Sequence, residues 1–72
     1  MLIYSERLSK TLKEKHITQS ELAHETGITR QNIYKYVNNI SDGSIENLVK
    51  ISKALNVSTD YLLGLSDHKD IR

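Results

Sequence analysis

Apolar residues recur along this chain at three- and four-residue intervals, and no unbroken aliphatic run exceeds three residues. That spacing gathers the apolar side chains onto one face of a 3.6-residue turn, so it predicts short amphipathic helices. It also excludes a helix that spans a bilayer, which needs about 20 apolar residues in succession. With 72 residues and no cysteine, the chain has room for one domain and no disulfide or thiolate-zinc cluster to staple it. Packing between helices must hold it, with help from a partner subunit as a further source. A catalytic cleft between two lobes is hard to build from so little chain. Met1-Leu2-Ile3-Tyr4-Ser5 lacks the basic start and apolar stretch of a signal peptide, which leaves the cytoplasm as the default location.

Proline is absent, and Gly27, Gly43 and Gly64 each fall where a helical pattern is expected to stop. A first helix is predicted over residues 3–15, with Tyr4, Leu8 and Leu12 on one face beside Thr11. Thr18-Gln19-Ser20-Glu21 reads as a capping box that opens a second helix, which Gly27 ends. Thr29 caps a third helix over residues 30–37. Ser44 caps a fourth over 45–55, with Ile45, Leu48, Val49, Ile51 and Leu55 as its apolar set, and a short fifth follows Ser58. The expected fold is all-α, a compact five-helix orthogonal bundle. Residues 1–64 form the domain, and the polar tail at 65–72 is expected to fray.

The formal net charge is only +1, but no acidic residue occurs from Thr26 to Ser41, where Arg30 and Lys35 lie. Two short helices meet there at a turn built on Gly27, which adopts positive φ without a side-chain clash. Ala23 lets the helices approach, and Leu22, Ile28 and Ile33 bury the corner. In the third helix Ile33 and Val37, and after it Ile40, are expected to face the core, with Tyr36 packing partly against it. Arg30, Gln31, Tyr34, Lys35 and Asn38 fall on the other side, a face with five hydrogen-bonding side chains and no carboxylate. Such a face avoids repulsion from phosphates. It also matches base edges: arginine forks to O6 and N7 of guanine, and glutamine to N6 and N7 of adenine.

Residues 3–64 resemble the phage repressor and Cro-like helix-turn-helix family, also called the XRE family. The likeness rests on Ile17-Thr18-Gln19 before Glu21-Leu22-Ala23, on Gly27-Ile28-Thr29 before Ile33, and on Ala54-Leu55-Asn56-Val57-Ser58 before Asp60-Tyr61-Leu62-Leu63-Gly64. It implies a bundle of the lambda-repressor-like DNA-binding type, with residues 19–38 as helix-turn-helix and 30–37 as the helix that enters the major groove. By the same resemblance Arg30, Gln31 and Lys35 reach bases, with Tyr34 among them as a base or backbone contact or as a plain surface aromatic. Gln19, Thr29, Asn38 and Ser41 take backbone phosphates. The chain departs from the family at Leu12 and Val37, where many members place an arginine and a glutamate as an ion pair. It also departs at Asn39, a common glycine, and at Thr26, usually apolar.

The implied function is sequence-specific binding of double-stranded DNA as a bacterial or phage transcriptional regulator, in particular a repressor. A homodimer would sit on a near-palindromic operator. Tyr61, Leu62 and Leu65 are candidates for the dimer contact, although such residues equally finish a core. A rival reading is a protein-interaction module with the same fold, such as an antitoxin or anti-repressor. Lys10, Lys13 and Lys15 read as solubilising charges that add a nonspecific positive field. His16, His24 and His68 do not form a metal set, since His16 and His24 lie on different helices with no carboxylate or cysteine at ligand spacing, and no nucleophile motif surrounds any serine. No metal, cofactor, small-molecule ligand, membrane contact or catalytic activity is therefore expected.

Overall fold

Residues 1–71 are described in the computed structural model, so Arg72, the last residue of the expected tail, lies outside the described residues. The helices are α1 (Leu2–Lys15), α2 (Gln19–Thr26), α3 (Arg30–Val37), α4 (Ile45–Leu55) and α5 (Thr59–Leu62). Four of them begin on a hydroxyl that accepts from the backbone amide three residues on, satisfying a donor that the helix leaves free. Thr18 accepts from Glu21, Thr29 from Asn32, Ser44 from Asn47 and Ser58 from Tyr61, at 3.0 to 3.2 Å. The capping box is complete, because the Thr18 amide donates to Glu21 Oε1 at 3.0 Å. That amide first, and then the Thr18 side chain, hold the Glu21 carboxyl below the usual carboxylate range.

α1 packs against α3 and α5, α2 against α3 and α4, and α4 against α5. The shared core takes Tyr4, Leu8 and Leu12 from α1, Leu22 from α2, Ile33 and Tyr36 from α3, Ile51 and Leu55 from α4, and Tyr61 and Leu62 from α5. Ile28 and Val57, in the connections, close it. Among the described residues no helix is long and apolar enough to cross a membrane.

Several sequence expectations need correction. Ile40 does not face the core and is 61% exposed. Asn39 takes the left-handed conformation (φ 58°) right after α3, so Ile40 no longer continues the face of Ile33 and Val37. Ile45 is 82% exposed at the head of α4, and Val49 is also exposed, which leaves Leu48, Ile51 and Leu55 to face inward. Gly43 does not end a helix. It lies beside the Ser44 cap with φ 76°, and a Cβ there would come within 2.5 Å of the Tyr36 ring.

The tail also differs, since residues 66–69 are tied down. Arg7 Nη1 donates to the carbonyls of Tyr61 and Ser66, both at 2.8 Å, with the guanidinium 4.5 Å from the centre of the Tyr61 ring. The Ser58 amide donates to the Lys69 carbonyl at 2.7 Å, and Lys69 pairs with Glu14.

Tyr4 is buried, and its hydroxyl has no hydrogen-bond partner among the described residues. Burial pushes its phenol well above the usual tyrosine range, and Tyr36 and Asp42 push it the same way. The folded state thus favours the protonated phenol. The resulting stability is fully present below the unfolded value of about 10 and is lost as pH rises beyond it. Tyr4→Phe is expected to remove this contribution to alkaline destabilisation. By deleting an unpaired buried hydroxyl it should also raise stability at neutral pH by about 1 kcal/mol. Urea unfolding on either side of about pH 10 measures both effects.

Candidate nucleic-acid interface

An eight-residue helix carries the candidate surface. Ile33 and Tyr36, three positions apart on α3, are buried, and the helical period turns Arg30, Gln31, Tyr34 and Lys35 outward together, all exposed. Asn38 follows on the same side as the C-cap. Its backbone amide and its Nδ2 both donate to the Tyr34 carbonyl, at 3.0 and 2.9 Å. The amides of Ile40 and Ser41 both point to the Lys35 carbonyl, at 2.8 and 3.3 Å, which closes the helix end.

The corner between α2 and α3 holds this face in place. Gly27 has φ 74° and donates from its amide to the Ala23 carbonyl at 2.9 Å. A Cβ on Gly27 would meet nothing within 4 Å, so the demand on this residue is conformational rather than spatial. Leu22, Ile28 and Ile33 are buried beneath the corner, with Ala23 packed against them. Thr26 supplies a part that sequence reasoning missed. Its hydroxyl donates to the Leu22 carbonyl at 2.7 Å and accepts from the Ile28 amide at 3.2 Å, stitching the turn from both sides. The readable signal was a hydroxyl residue directly before the turn glycine.

The expected phosphate contacts are placed less uniformly. Gln19 is half-buried as the first residue of α2, in a groove shared with Lys13, His16 and Val37. The Glu21 carboxylate sits at the same helix end and offsets part of its positive dipole, so the Gln19 side chain would have to carry a phosphate contact itself. Thr29 and Ser41 are exposed, and their oxygens accept from the amides of Asn32 and Gly43, which leaves each hydroxyl proton free to donate. Leu12 and Val37 line one groove, and the Ser5 hydroxyl donates to the Val37 carbonyl at 2.7 Å.

Two expected dimer contacts are corrected. Tyr61 and Leu62 are buried in the core of their own chain, whereas Leu65 is 75% exposed. Sequence reasoning also missed Ser20, whose Oγ accepts from Arg30 Nη1 at 3.2 Å across the corner. Among the described residues no group of three His, Cys, Asp or Glu side chains could hold a metal ion.

Comparison with known proteins places a helix-turn-helix family match on residues 8–62. The chain is similar to the HTH-type transcriptional regulator YqaE of Bacillus subtilis (strain 168), 40% identical over 68 residues, covering 93% of this chain and 59% of that protein. It is similar to the SPbeta prophage-derived HTH-type transcriptional regulator YonR of the same organism, 39% identical over 61 residues, covering 85% of this chain and 56% of that protein. It is also similar to the cryptic phage CTXphi transcriptional repressor RstR of Vibrio cholerae serotype O1, 41% identical over 59 residues, covering 82% of this chain and 53% of that protein. The chain therefore spans little more than half the length of these relatives. No solved structure gives a significant match.

Thr26→Val keeps the shape of the turn residue and removes its hydroxyl. It should leave the Ile28 amide without an acceptor and cost about 1–3 kcal/mol, read as a lower urea midpoint at unchanged helix content. An unchanged midpoint would show that the stitch contributes nothing.

Proposed function

Because the chain belongs to the helix-turn-helix family, we propose that it binds double-stranded DNA sequence-specifically as a transcriptional regulator, with α3 in the major groove. The observation that carries this reading is the outer face of α3. Arg30, Gln31, Tyr34 and Lys35 are exposed together, none is a carboxylate, and a stitched corner holds them. A helix about 10–12 Å across fits the major groove. Arg30 and Gln31 suit guanine and adenine edges, Lys35 suits either a base acceptor or a phosphate, and Tyr34 offers its ring to a thymine methyl or a sugar. Gln19, Thr29, Asn38 and Ser41 set register on the backbone without reading sequence. RstR, by its name a phage repressor, supports repression as the regulatory sense. The reading gives the chain no catalytic step and places it with the DNA in a bacterial cytoplasm.

Two copies on a near-palindromic operator complete the proposal. α3 has eight residues, about 12 Å of helix, and so reads one groove face. Successive half-sites lie about 34 Å apart along the duplex, so a second copy is needed to multiply few contacts into useful affinity. Leu65 is the candidate that remains available at the dimer contact.

Sites selected from a random DNA pool test binding, motif and half-site spacing together. On the selected site Gln31→Ala is expected to cost about 1–3 kcal/mol and to relax preference at one base pair per half-site. An unchanged base-preference profile would remove Gln31 from the reading set. Gln19→Ala should instead weaken selected and random DNA alike and leave the slope of log affinity against log salt unchanged, because a neutral amide releases no counterion. A loss confined to one base would contradict the phosphate role.

A further inference from the structure

Arg30 stands where a cation is least expected. It is the first residue of α3, at the end where backbone amides point outward and the helix dipole is positive. The first turn holds no acidic residue to compensate, and none of the ion pairs among the described residues includes Arg30. Its guanidinium is tied instead to a neutral group, with Nη1 donating to Ser20 Oγ at 3.2 Å. Ser20 is the second residue of α2, so the bond crosses the corner between the two helices.

We infer that Ser20 is a positioning residue that aims Arg30 at a guanine in each half-site. The inference rests on the DNA-reading role proposed for α3. A guanidinium carries five N–H donors in one rigid plane, and the bond to Ser20 uses one of them. Holding that donor restricts where the plane can lie and leaves other donors free to fork onto O6 and N7. A carboxylate at the same place would hold the arginine more strongly, but it would also neutralise the charge and repel phosphate. The hydroxyl orients the side chain and leaves its charge unspent. Part of the rotamer freedom that a long exposed side chain loses on binding is then lost before DNA arrives.

The test measures affinity for the selected operator and for variants with each base pair changed singly, together with affinity for random DNA and the melting temperature. Arg30→Ala should abolish preference for guanine at one pair per half-site. Ser20→Ala should lower that same preference about two- to tenfold, the range of one solvent-exposed hydrogen bond. Random-DNA affinity, melting temperature and the other preferences should stay as they are, and Ser20→Thr, which restores an acceptor, should recover the preference. If Ser20→Ala leaves the guanine preference whole while Arg30→Ala removes it, Ser20 does not position Arg30 and the inference falls alone. If Ser20→Ala lowers every preference together with the melting temperature, its role is structural and the inference again falls. If Arg30→Ala leaves the profile unchanged, Arg30 does not read bases, and its part in the proposed function falls as well.

Discussion

The burial of Ile33 and Tyr36 is the constraint on which the candidate surface depends. An eight-residue helix does not hold itself in water, because nucleation is costly and its ends leave most backbone groups unpaired. α3 persists because Ile33 is fully buried and Tyr36 is 4% exposed, each burial worth about 1.5–3 kcal/mol. Tyr36 does more than fill space. Its ring occupies the volume that a side chain at Gly43 would need, and its hydroxyl accepts from Asn47 Nδ2 at 2.9 Å, which ties α3 to the start of α4. Once those two residues point inward, the helical period decides where Arg30, Gln31, Tyr34 and Lys35 point. The reading face is thus a consequence of the core.

Much of the fold was legible because its boundaries are written in local chemistry. Thr18, Thr29, Ser44 and Ser58 are hydroxyl residues placed before apolar-periodic runs, and each caps its helix as local bonding rules require. What periodicity does not contain is the extent of the neighbours. Ile45 precedes Leu48 by three and shares its face, yet it heads α4 where nothing covers it. Ile40 follows Val37 by three, but the left-handed step at Asn39 breaks the period first. The tail misled for a different reason. Its polarity suggests fraying, whereas the groups that hold it, the Arg7 guanidinium and the Ser58 amide, lie far away in sequence and satisfy its carbonyls.

The candidate site divides along the same line. The outward set on α3 was visible because a face without carboxylates is unusual on a solvated helix. Thr26 is a local device, bonding four residues back and two forward, so it is readable in principle, although the family pattern marks it only as a departure from an apolar position. Ser20 was not readable, since its bond to Arg30 depends on how two helices cross. Tyr61 and Leu62 belong to a four-residue helix, too short for periodicity to separate core from surface, and only the packed structure assigns them to the core.

A net charge of +1 would seem too small to draw a protein to a polyanion, but net charge is the wrong quantity at close range. At physiological ionic strength exposed charges more than about 8 Å apart are largely screened from one another. What a phosphate meets is the local sign. Here that sign is set mainly by exclusion, since Thr26 to Ser41 holds no acid at all. Of the nine acids elsewhere, four are paired: Glu14 with Lys69, Glu46 with Lys50, Asp67 with Arg7, and Asp42, the first acid after that stretch, with the Met1 ammonium. These exposed pairs add little to stability. None of them draws on the face itself: its own cations, Arg30 and Lys35, take no carboxylate partner among the described residues and so keep their full charge for an incoming duplex.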